Sequence, residues 1–243
     1  MMWKGLILDT STNPLNPGEK REPLGADEAY VTTLTGDCEA WSYYLDTVLN
    51  ANDFMPRKSI FKTSLGTVIH RVKFFEGTEM EVRMRHDGIR GRIDAYDPVR
   101  KIIYEIKTTE NDKVKYPEIN PHHNNQALLY WAGKYLSEDV LARQAFVTYI
   151  VIPREQIVPL EVKLSKKTPS VAALEDVWQK ALEKKDLLVA CRKAKMVPPC
   201  AWGTWNCDYC GFNRKCVMDA PYFMDHPYYK NKQDETKDVF EET

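Results

Sequence analysis

No uncharged apolar run in the 243 residues approaches the length needed to cross a bilayer, and the amino terminus lacks a signal-peptide pattern. The chain therefore reads as cytoplasmic, with no membrane partner. Charge of one sign is missing as well. With 34 Lys+Arg against 35 Asp+Glu the net charge is -1, which excludes a generic polyanion binder. Any nucleic-acid contact has to come from a local basic patch. Internal repeats and long low-complexity tracts are absent, and no flavin or nicotinamide motif supports electron transfer. Cysteine is sparse, at 6 residues, and in an intracellular chain that points to metal or cluster binding rather than a disulfide framework. The rest of the composition, 43% hydrophobic and 28% charged, suits one large or two small domains with a real core.

The chain is organised around Gly91-Arg92-Ile93-Asp94, an Asp97-Pro98 turn, and Lys101-Ile102-Ile103-Tyr104-Glu105-Ile106-Lys107. Apolar residues alternate at period two on either side of the turn, which predicts two antiparallel strands. Alternation puts Ile103, Glu105 and Lys107 on one face of the second strand. In the first strand Ile89, Gly91, Ile93 and Ala95 share a face, with Asp94, Arg90 and Arg92 opposite. Pairing can then gather Asp94, Glu105 and Lys107 on one patch. Two carboxylates are what Mg2+ or Mn2+ takes, and a lysine beside them can orient a water or neutralise a phosphoryl oxygen. The same pattern also suits a solvated sheet face with a cross-strand Glu/Lys pair. Arg83, Arg85, Arg90 and Arg92 either track a phosphate backbone or decorate such a face.

Along the chain, residues 1–22 read as a flexible leader and 219–243 as a charged flexible tail. A helix is expected from Asp37 to Leu49, capped by Thr35 or Asp37, with Cys38 in its first turn. A second is expected over Ser64–Phe75, stopped by Gly77, with Gly66 and His70 on one face; there His70 suits a packing role as well as metal binding. Glu79 to Thr108 reads as a three-stranded meander with turns at Asp87-Gly88 and Asp97-Pro98. Asn120-Pro121 starts a helix through about Leu136, carrying Gln126 and Tyr130 at i and i+4. Strands follow at Ala145–Ile152 and Gln156–Leu164, then a long helix from about Ser170 to Lys193 with Cys191 in the core. Cys207, Cys210 and Cys216 form a C-x2-C-x5-C group. Four thiolates with Cys38 suit zinc or an iron-sulfur cluster equally by spacing, and Cys200 is a reserve ligand.

Taken in order, Gly66-x3-His70, Gly91-x-Ile93-Asp94, Glu105-Ile106-Lys107 and Gln126-x3-Tyr130 resemble the motif set of the RecB-type branch of the PD-(D/E)xK nuclease superfamily. With Cys38 upstream and Cys207, Cys210 and Cys216 downstream, the chain further resembles the iron-sulfur members of that branch. These are the CRISPR-associated "Cas four" exonucleases, their viral and phage relatives, and AddB-type nuclease domains. The resemblance implies a restriction-endonuclease-like α/β fold, a mixed central sheet flanked by helices. It places the nuclease domain at 23–196 and a cysteine segment closing the cluster site at 197–218.

It further implies that His70, Asp94, Glu105 and the Ile106 carbonyl hold Mg2+ or Mn2+. Lys107 would position the attacking water or stabilise the transition state, and Gln126 and Tyr130 would steady Lys107 or hold the strand. Cys38, Cys207, Cys210 and Cys216 would bind a 4Fe-4S cluster in a structural role. The implied activity is an exodeoxyribonuclease preferring single strands or duplex ends, in CRISPR adaptation or in viral or phage recombination and repair; a viral member would work in the host cytoplasm. Integrase or recombination proteins and a second copy of the chain are its implied partners. Tyr130, Trp131, Tyr43 and Tyr44 are candidate base-stacking residues and equally candidate core. The segment with Lys113, Lys115, His122 and His123 is assigned by no motif and suits a DNA contact or a lid. A rival reading is a nucleic-acid-binding assembly subunit with little activity of its own.

Overall fold

The computed structural model describes residues 24–36, 38–47, 69, 72–109, 119–152, 155–162 and 169–198, together with Cys210, Phe212 and Cys216. His70, Gly66, Cys200, Cys207, Lys113, Lys115, the leader and the tail lie outside the described residues. The elements in order are β1 (Ala29–Tyr30), α1 (Val31–Leu34), α2 (Glu39–Thr47), β2 (Glu79–His86), β3 (Ile89–Asp97), β4 (Ile102–Thr109), α3 (Pro121–Glu138), β5 (Gln144–Val151), β6 (Gln156–Glu161) and α4 (Val171–Ala194). They form an α/β fold in which helices flank a mixed six-stranded sheet. Among the described residues no helix is long and apolar enough to cross a membrane.

Local chemistry explains most of these boundaries. Asp87 and Gly88 both take positive φ, 47° and 76°, and His86 pairs with Ile89, so β2 and β3 are joined by a two-residue hairpin turn of the type Asp-Gly favours. At the next turn Asp97 Oδ1 accepts from the N–H of Val99 and Arg100, at 3.0 and 2.8 Å. The Asn120 side chain accepts from His122 N at 2.9 Å, and Pro121 occupies the first turn, where its missing N–H costs nothing. Ser170 caps α4 by accepting from Ala173 N, and both long helices end in a left-handed residue, Asp139 and Lys195.

The sheet runs β1-β3-β4-β5-β6, with β2 added on β3. A strand has only two hydrogen-bonding edges, and the register shows how β3 divides its own. β2 pairs with nearly its whole length. On the other edge β4 meets only Ala95, Tyr96 and Asp97, and β1 meets only Ile89 and Arg90. Residues 91–94 therefore face a notch on that edge. β4 continues beside β5 in parallel, from Ile102 with Gln144 to Thr109 with Val151, the crossover being made through α3.

Strict alternation fails along β3. Tyr130 of α3 packs against Gly91, and Lys134 of the same helix lies 4.5 Å from the centre of the Tyr96 ring. Gly91 and Tyr96 are five apart, so a regular strand would send them to opposite faces. Glu81, which takes φ 58°, falls in the gap that the β2–β3 register leaves between Met80–Ala95 and Val82–Ile93. Gly91 and Tyr96, on either side of Asp94, thus both meet α3.

Candidate active site

Asp94 and Glu105 stand where β3 and β4 part. Asp94 Oδ2 accepts from the backbone N–H of Ile106 at 2.7 Å, so a side chain takes over where the ladder has stopped. Glu105 is 1% exposed, and Lys107 Nζ donates to its Oε1 at 2.5 Å. The Lys107 side chain is 20% exposed and that of Glu105 1%, so the pair is largely withdrawn from solvent, with the lysine the more open of the two. Burial works against the charge on Lys107, but Glu105 and Asp94 more than offset it, and its pKa lies above the ordinary lysine value.

Helix α3 closes the notch from above. Gln126 Nε2 and the backbone N–H of Arg92 each donate to the Tyr130 hydroxyl at 3.5 Å, so one phenol links helix to strand just before Asp94. Gly91 is what admits it. A Cβ there would meet Tyr130 Cε1 at 2.5 Å and Val31 Cγ2 at 2.8 Å. Burial first, then the Glu105 and Asp94 carboxylates, push the Tyr130 pKa up, so the group stays a neutral phenol. Asp94, Glu105, Ile106, Lys107, Gln126 and Tyr130 are thus brought together, whereas His70 lies outside the described residues.

Other expectations need correction. Three arginines of the sheet are engaged by carboxylates of the chain itself: Arg85 and Arg90 both bind Glu28, Arg90 at 3.1 Å, and Arg92 binds Glu81 at 2.6 Å. Burial raises the Glu28 pKa, but the Gly25 N–H, Arg90 and Arg85 outweigh it and hold the carboxyl below its ordinary value. Tyr130, Trp131 and Tyr44 are buried, Trp131 donating to Ala142 O at 3.0 Å, so they are core rather than a surface for bases. Cys191 is half-buried, not core.

Cys38 and Cys216 lie in one apolar cluster with Ala40, Tyr44, Val197 and Phe212, and Cys210 packs against it. The start of α2 therefore meets the stretch beyond α4. Among the described residues no three His, Cys, Asp or Glu side chains are grouped to hold a metal ion, Cys207 lying outside them.

One residue escaped the sequence reading. Tyr149 is the parallel partner of Lys107, and its hydroxyl meets both His123 and the Asn120 N–H. Only the register of β4 against β5 reveals this, and no spacing encodes it.

No family model matches the chain, and no curated protein matches it. Among solved structures it is similar to the crystal structure of SSO0001. The identity is 21% over 84% of this chain and 90% of that chain, with a TM-score of 0.49. A likeness of that size says nothing about activity.

Proposed function

We propose that this chain is a metal-dependent DNA exonuclease of the RecB-type PD-(D/E)xK branch, preferring single strands or duplex ends. One observation carries the reading: Asp94, Glu105 and Lys107 converge where two strands part, with Lys107 Nζ 2.5 Å from Glu105 Oε1. Two carboxylates beside one ammonium leave negative charge in excess among the described residues of the notch, and their oxygens are the donors a hard divalent ion takes. Asp94, Glu105, the Ile106 carbonyl and His70 would hold Mg2+ or Mn2+. Such an ion supplies Lewis-acid polarisation of the phosphate and a lowered water pKa. Lys107, charged and beside Glu105, orients the attacking water and offsets charge growing on the phosphoryl oxygens. Tyr130 and Gln126 brace β3 just ahead of Asp94 and so fix the spacing of the two carboxylates.

The thiol cluster is read with it. Cys38, Cys210 and Cys216 share an apolar shell of the kind that protects an iron-sulfur centre, and with Cys207 they would hold a 4Fe-4S cluster tying α2 to the segment 197–218. Its contribution there is cross-linking rather than catalysis.

Degradation of end-labelled single-stranded DNA with Mn2+, on anaerobically purified protein, tests the reading. Wild type is expected to cleave, while Glu105→Ala and Lys107→Ala are folded and silent. Circular single strands should resist if a free end is required. If all three proteins are folded, bind DNA and leave it intact, the assembly-subunit reading replaces this one.

A further inference from the structure

The two histidines that open α3 have different surroundings. His122 Nδ1 lies 2.8 Å from the Thr35 carbonyl oxygen, which pins the start of the helix to the end of α1. His123 turns to β5 instead. Its Nδ1 lies 2.9 Å from the Tyr149 hydroxyl, and the Asn120 backbone N–H donates to that hydroxyl at 3.2 Å. A phenol has one proton to give. With Asn120 donating to it, the acceptor left for that proton is His123 Nδ1, so the imidazole proton sits on Nε2. The ring is half-buried, and Nε2 has no hydrogen-bond partner among the described residues.

The position of this donor is set by the sheet. Tyr149 and Lys107 are direct partners across β4 and β5, so their side chains project from the same face. The Lys107 charge acts on both Tyr149 and His123. Asp94 flanks Lys107 on the β3 side, and the Tyr149–His123 pair flanks it on the β5 side.

We propose that His123 is a substrate-contacting residue whose Nε2–H donates to a non-bridging oxygen of a phosphodiester held beside Lys107. Tyr149 and the Asn120 N–H are the positioning pair that fixes its tautomer. The inference rests on the nuclease reading and extends it to the β5 side of the notch. Burial first, then Lys107 and His122, holds the His123 pKa down to about 3, so the ring is a neutral donor. A neutral donor adds direction to phosphate binding without a second cation crowding Lys107.

The test compares wild type with H123F, H123Q and Y149F, the glutamine amide reaching about where Nε2 stood. Cleavage kinetics are followed on end-labelled single strands with Mn2+, and DNA binding by anisotropy with Ca2+ in its place. H123F is expected to raise KM and Kd about tenfold, the loss of one hydrogen bond to a charged group, with kcat held within about twofold. H123Q is expected to recover most of that loss, and Y149F to show roughly threefold of it. The salt dependence of Kd should be the same in wild type and H123F, because a neutral donor releases no counterion. Wild-type KM and Kd in H123F overturn the inference, as does an H123Q as impaired as H123F, or a salt slope that changes. A wild type that does not cleave is a separate result, and it overturns the nuclease reading itself.

Discussion

The notch at Glu105 and the thiol shell around Cys38 draw on the chain in opposite ways. The notch is assembled from neighbours in sequence, β3, β4 and α3, with β5 alongside, and it buries charge. The shell joins α2 to residues beyond α4, and it buries apolar surface around thiols. Buried like charges strain a fold, and apolar contacts between distant segments hold one together. Removing a carboxylate at the notch should therefore cost chemistry with stability kept, whereas removing a thiol at the shell should cost stability.

Glu105→Gln gives the largest effect on activity, with cleavage expected to fall by about a thousandfold or more, as for loss of a metal-holding or charge-stabilising group. Its thermal midpoint in EDTA should not fall, because Asp94 remains to pair with Lys107. Mn2+ should raise the wild-type midpoint and leave that of the variant unmoved. A variant that unfolds instead erases the contrast between the two regions. Lys107→Met sharpens it from the other side. Two buried carboxylates are left without their ammonium, and a loss of roughly 3 kcal/mol by urea titration is expected along with the loss of cleavage.

At the shell, Cys216→Ser should lower the unfolding free energy from urea titration by several kcal/mol, on the order expected for losing a metal-centred cross-link, together with bound iron and acid-labile sulfide. Unchanged stability with unchanged iron would detach Cys216 from the tie. Gly91→Ala is expected to cost about 1–3 kcal/mol, since the added methyl meets Tyr130 and Val31 at 2.5 and 2.8 Å. It should also slow cleavage, because the phenol that braces β3 is pushed aside.

The smallest effect is a pH dependence at Glu28, away from both regions. Its folded pKa is depressed, so the stability it contributes is complete above the ordinary glutamate value and is lost as pH falls through the folded value. The gap in urea midpoint between wild type and Glu28→Gln should be open at pH 7 and narrow as pH falls below the ordinary glutamate value.

Much of this could be read from residues alone because the signals were local. Asp87-Gly88, Asn120-Pro121 and Ser170 each carry their own turn or cap chemistry, and β2 to β4, α3, β5, β6 and α4 appear where those signals put them, give or take a few residues. The notch was legible in part, since Glu105 and Lys107 share a face by simple alternation. What escaped depends on distant partners. β1 has two residues and α1 four, too few to show a period. The failure of alternation along β3 goes with an unusual φ at Glu81 on another strand. The partnering of Arg85 and Arg90 depends on Glu28, a carboxylate 62 positions before Arg90. Neither of the last two is written in the stretch it alters.

Helix α4 holds down the first elements of the fold. Lys193 binds Asp27 at 2.6 Å, Arg192 binds Asp46 at 2.8 Å and the Glu28 carbonyl, and Lys184 binds the Gly36 carbonyl. Two-residue β1 is far too short to stay in a sheet unaided, and Val31, the residue that follows it, packs against Gly91 at the notch. The restraint on β1 thus comes from residues translated 164 and 166 positions later. On the ribosome the strands carrying Asp94 and Glu105 emerge well before the helix that secures their surroundings. A growing chain consequently carries the acidic and basic groups of the notch before β1 is secured beside them, and gains that restraint only as α4 docks.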